Sequence, residues 1–159
     1  MALGALGLII VASIVMAILG SAGKANVNDM VLAVQQQQEL IRVAEIGVKD
    51  SRGTEAKNLA ATAFYTLESD QSVLQEYVNK SKKMERKEIE AGKDEQTTEA
   101  LTTAKQANRF DEEFITLLKN ELREYQATLK KVHDAAPKKS QPPLAEQYRH
   151  IGLLIGESE

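Results

Sequence analysis

The chain of 159 residues has no cysteine, no tryptophan, only three prolines and only two histidines. Without cysteine there is no disulfide, no thiolate zinc site, no iron–sulfur cluster and no thiol nucleophile. Site chemistry falls to carboxylates, hydroxyls, His133 and His150. A surplus of positive charge is also missing: 20 Lys plus Arg stand against 23 Asp plus Glu, a formal net charge of −3. That balance argues against nucleic acid as a partner, because phosphates call for a strongly basic patch. No glycine-rich phosphate loop, zincin motif or nucleophile motif occurs. The chain is therefore expected to be no enzyme and to carry no cofactor.

What is present divides the chain in two. Residues 1–23 carry no charged side chain and 17 of them are hydrophobic, whereas every charged residue lies from Lys24 onward. The uncharged stretch from Ala2 to Gly23 would reach about 33 Å as a helix, enough for a hydrocarbon core of about 30 Å. A cleaved signal peptide is the rival reading, since Gly20-Ser21-Ala22-Gly23 supplies small residues before Lys24. Against cleavage, no basic residue precedes the apolar run, and the run exceeds a typical signal-peptide core. The expectation is a retained single-pass signal anchor with the bulk of the chain extracytoplasmic. Cleavage would instead give a secreted helical protein. Ser13, Ala17, Gly20 and Ser21 gather small side chains along one face, which allows a second anchor helix to pack closely and points to a homo-oligomer formed through the anchor.

From residue 24 onward the expected fold is all-α: an antiparallel bundle of three long helices over residues 24–136, a Pro-rich linker at 137–143, and a short amphipathic helix and tail at 144–159. The first stripe is Val27, Met30, Val31, Val34, Ile41, Ala44 and Val48, interrupted by the run Gln35 to Gln38, to which no role is assigned. Asp50-Ser51-Arg52-Gly53 reads as a stop and Thr54 as a new start. The second stripe runs from Ala56 through Leu67 and Leu74 to Met84. After a reversal at Ala91-Gly92-Lys93-Asp94, the third helix begins at Thr97 or Thr98. Leu101, Ala104, Ala107, Phe110, Phe114, Leu118, Leu122, Tyr125, Leu129 and Val132 form its seam, close to coiled-coil spacing. Its expected partner is the helix from Thr54, antiparallel to it.

In the C-terminal helix, Leu144, Tyr148, Ile151 and Ile155 form an apolar stripe that either closes the bundle in cis or binds a partner. Metal chemistry finds little support. Neither histidine follows a carboxylate at the three-residue step, and Glu146 with His150 reads as a surface pair. The acidic run Asp111-Glu112-Glu113 reads as a solvated face.

One anchor followed by antiparallel helices resembles the organisation of LemA-family envelope proteins, and Leu40-Ile41, Val48-Lys49 and Glu55 are similar to part of their first hairpin. The aromatic and arginine-rich pattern that the family would show after the anchor is missing, so no residue role is carried over. Two functions are in view. The first is a structural or interaction module at the cell envelope, with the bilayer and another envelope protein as partners. The second is a membrane-proximal sensor that binds a small molecule. With nothing but Met1 before the anchor, an outward-facing sensor would lack an output domain, which favours the first.

Overall fold

The computed structural model describes residues 27–80 and 84–157. These residues form α1 (Val27–Asp50), α2 (Thr54–Asn79), α3 (Arg86–Glu90), α4 (Glu95–Gln106), α5 (Phe110–Ala135), a 3-10 turn (Lys138–Ser140) and α6 (Gln141–Ile155). No described residue lies in a strand. None of these helices is long and apolar enough to cross a membrane. The expected anchor and its packing residues Ser13, Ala17, Gly20 and Ser21 lie outside the described residues.

Four long helices make the core. α1 packs on α2 and α5, and α6 closes the square by packing on α5 and α2. Neighbours around the square are antiparallel, while α2 and α5 lie on a diagonal and run the same way. Two contacts fix that direction: Asp111, at the start of α5, accepts the backbone amides of Arg52 and Gly53, at the start of α2. At the other side of the square, Asp70 of α2 meets His150 of α6.

This corrects the expected antiparallel pairing of the second and third long helices. The return is made by α3 and α4, which travel back along α1 and α5 before the next long helix begins. The single helix expected from Thr97 is also broken. α4 ends at Gln106, Asn108 takes a left-handed φ of 56°, and α5 begins at Phe110. Leu101, Ala104, Ala107 and Phe110 are spaced by three, and each such step falls about 60° short of a full helical turn. On one straight helix Leu101 and Phe110 would face opposite sides. The break instead brings both into the core and leaves Ala107 exposed.

The stripe on α1 is likewise rephased. Met30, Ala33, Val34, Gln37, Leu40, Ile41, Ala44 and Gly47 face inward, whereas Val27 and Val48 are exposed and Val31 is half-buried. Gly47 is required for close packing: a Cβ there would lie 2.1 Å from Cζ of Phe114. α2 stops at Asn79, short of Met84. At the other end of the chain, Pro142 and Pro143 sit in the first turn of α6, where proline is tolerated because those amides have no helical acceptor.

Candidate functional site

Apolar side chains fill most of the core, so the polar groups inside it are the candidates for function. Two clusters stand out among them. The first lies where α1, the start of α4 and α5 meet. Glu39 of α1 is buried at 8% exposure, one turn before the fully buried Val43, and Arg42 sits beside it.

Arg42 is held by four bonds. Its Nε and Nη2 donate to the two Glu39 oxygens at 2.7 and 2.5 Å, Nη1 donates to Oγ1 of Thr98 at 2.6 Å, and Nη2 donates to the Asp94 carbonyl at 2.9 Å. One guanidinium on α1 thus grips both the residue that caps α4 and a residue of its first turn. The hydrogen bonds and charge of Glu39 hold the Arg42 pKa above its ordinary value, against the opposing effect of burial. Across from it on α5, Oε1 of Glu121 accepts a 3.4 Å bond from Thr97, while Oε2 is buried with no hydrogen-bond partner. Burial, reinforced by the nearby Glu39 carboxylate, pushes the Glu121 pKa up to about 8. Glu124 is also raised, by burial. Beside the cluster, a recess of about 200 Å³ is lined by Gln38, Glu39, Ile41, Arg42, Ile89 and Lys93, among others.

The second cluster sits between α2, α5 and α6. Nδ1 of His150 lies 2.9 Å from Oδ2 of Asp70, and its Nε2 is 3.9 Å from Glu146. Gln147 is buried and donates to the Asp70 carbonyl. Gln37 of α1 donates to the Leu67 carbonyl at 3.2 Å. The Tyr125 hydroxyl is buried without a partner, and burial, helped by the Asp70 charge, drives its pKa well above the ordinary tyrosine value. A histidine–aspartate pair orients an imidazole, but among the described residues His150 has no hydrogen bond to a hydroxyl that it could activate.

The sequence pair Glu146 and His150 is therefore only half of the arrangement: Asp70, from another helix, is the closer partner. Asp111 is no solvated bystander either, since it accepts the two backbone amides just before α2. Glu113 pairs with Arg109 at 2.8 Å. Of the proposed partner-binding stripe, Leu144 and Ile151 are buried in the bundle, and Tyr148 and Ile155 are half-buried. Tyr148 lines a recess of about 210 Å³ with Lys130, His133, Asp134 and Ala145. Among the described residues no group of three or more His, Asp or Glu is placed to hold a metal ion.

Sequence reasoning missed Glu39, Arg42, Asp70 and Glu121. A signal existed for two of the buried polar groups. Gln37 falls on the corrected α1 stripe three residues before Leu40, and Glu121 lies between Leu118 and Tyr125 on α5. Compared with known protein families, with curated proteins and with solved structures, the chain has no significant match.

Proposed function

We propose that the chain is a membrane-tethered helical bundle that acts as a structural or protein-interaction module at the cell envelope, without catalysis of its own. The observation that carries this reading is the contrast at Lys24: an uncharged apolar segment of spanning length joins, through three residues, a bundle whose own helices bury their apolar faces in one another. The polar clusters favour the same reading, because their bonds tie helices together: Arg42 joins α1 to α4, and Asp70 joins α2 to α6.

A sensory role is the second reading. It is favoured by a cleft of about 490 Å³ with an apolar part formed by Val34, Val78, Met84 and Ile89. The two separate by experiment. Membranes from cells expressing the full chain are washed with carbonate, and the retained protein is weighed intact. Retention with residues 1–23 present is expected; a mature chain starting near Lys24, or release by the wash, overturns the tether. A thermal-shift screen of small metabolites then distinguishes the readings: a stabilising ligand at modest concentration supports the sensor.

A further inference from the structure

Antiparallel helices that rise equally per residue stay in register along their length. Gly47 lies against Phe114, and the charge of Glu39 reaches Glu121, so counting back along α1 places Val27 level with the last turn of α5. The Gln38–Gln71 bond at 2.7 Å and the Gln37–Leu67 bond do the same for the end of α2. The end of α2, the end of α5, the 3-10 turn and the start of α6 thus meet at the end of the bundle where the chain enters α1.

Charge at that end is lopsided. Lys80 pairs with Glu76 and Lys130 with Asp134, each at 2.7 Å. Lys131, Lys138 and Lys139 are exposed and have no ion pair among the described residues. The acidic groups nearby are Asp29 and Glu88, which have interactions of their own; Glu85, exposed next to the Met84 amide that bonds to Asn79 and followed by exposed Lys87; Asp134, already shared with Lys130 and His133; and Glu146, near Arg149 and His150. At the opposite end, exposed Lys49, Arg52 and Lys57 are interspersed with exposed Glu45, Glu55 and Glu112. A chain of net charge −3 therefore concentrates unpaired positive charge at one end.

We propose that Lys131, Lys138 and Lys139 seat this end of the bundle on the anionic headgroups of the bilayer. The proposal rests on residues 1–23 being a retained anchor, which would deliver this end to the membrane surface. Lysines near an anionic surface each contribute about fivefold to partitioning, so three favour the seated arrangement by on the order of a hundredfold. The attraction falls off within a Debye length and weakens with salt.

The absence of cysteine makes the test clean. Ser140→Cys in the full chain carries a single fluorophore at the basic end, and Thr54→Cys carries one at the other. Each protein is reconstituted into vesicles of neutral phosphatidylcholine or of phosphatidylcholine mixed with phosphatidylglycerol, with a quencher attached to lipid headgroups. Quenching at position 140 is expected in the anionic vesicles, with loss in high salt and loss on Lys131→Glu, Lys138→Glu and Lys139→Glu together; the label at position 54 stays unquenched. Circular dichroism checks that the triple variant remains helical. Equal quenching in neutral and anionic vesicles, or quenching that survives the triple substitution, overturns the seat. Flotation reads the anchor separately. A chain that floats with neither kind of vesicle overturns both readings, whereas one that floats with both but shows no lipid-dependent quenching overturns the seat alone.

Discussion

The square of α1, α2, α5 and α6 and the crossover of α3 and α4 are built on different physics. The long helices bury Leu40, Leu67, Leu74, Phe114, Leu118, Leu122, Leu129 and Leu144 almost completely. Burial of each such side chain contributes about 1.5–3 kcal/mol, without demanding a particular geometry. In the crossover, α3 has no buried residue and α4 has only Thr97, Leu101 and Ala104. What locates the start of α4 is directional: Asp94 caps it through the Gln96 amide, and Arg42 grips the Asp94 carbonyl and Thr98. A segment with little apolar surface must be placed by hydrogen bonds, each worth a net of only about 0.5–1.5 kcal/mol, or up to about 3 kcal/mol when charged.

The largest expected effect is Leu118→Asp. Truncation of a buried leucine costs about 2–5 kcal/mol, and an unpaired carboxylate in the same place adds a desolvation penalty. Urea denaturation should show the whole bundle unfolded or close to it. A variant that melts like the native chain would break the distinction, because Leu118 would then not lie in a core that matters.

The next effect depends on pH and comes from Glu121, where bundle and crossover touch. Unfolded, this carboxyl ionises near 4.5; folded, near 8. Between those values folding takes up a proton, so the stability that Glu121 contributes falls as pH rises from about 4.5 to about 8 and levels above that. The slope from one group is at most about 1.4 kcal/mol per pH unit. Glu121→Gln should flatten the profile in this window and make the variant the more stable protein at pH 8. Parallel profiles for the two proteins would show that Glu121 titrates normally when folded.

The smallest effect is local. Glu39→Gln with Arg42→Gln removes the grip on α4 while keeping the cluster's charge balanced, at a cost of roughly 1–3 kcal/mol confined to the crossover. Hydrogen exchange should quicken in α4 while amides around Leu67, Leu118 and Leu122 keep their protection. Equal quickening in both regions would merge them into one cooperative unit.

How much of this was legible follows from the same contrast. The helical class, the turn at residues 50–53 and the seam from Phe110 to Val132 could be read because each rests on local periodicity or local turn chemistry. The break at Asn108 was hidden by three-residue spacings that look helical when counted singly, although their drift around the axis could have exposed it. The polar clusters were harder to see. Arg42 and Thr98 are 56 residues apart, and Asp70 and His150 are 80 apart.

By itself, the sequence determined that the charged part of this chain would be helical, because the period of its apolar residues sets which face each segment must bury. It also determined the sharp division at Lys24, a matter of composition alone. Only the tertiary structure decided which faces meet. Many pairings of amphipathic helices bury similar apolar area, and the choice between them lies in specific fits, such as the ring of Phe114 against Gly47, Asp111 on the amides before α2, and Arg42 on the start of α4. Those fits put α2 and α5 on a diagonal, placed α6 against Asp70, and gathered the unpaired lysines at the end where the chain enters the bundle.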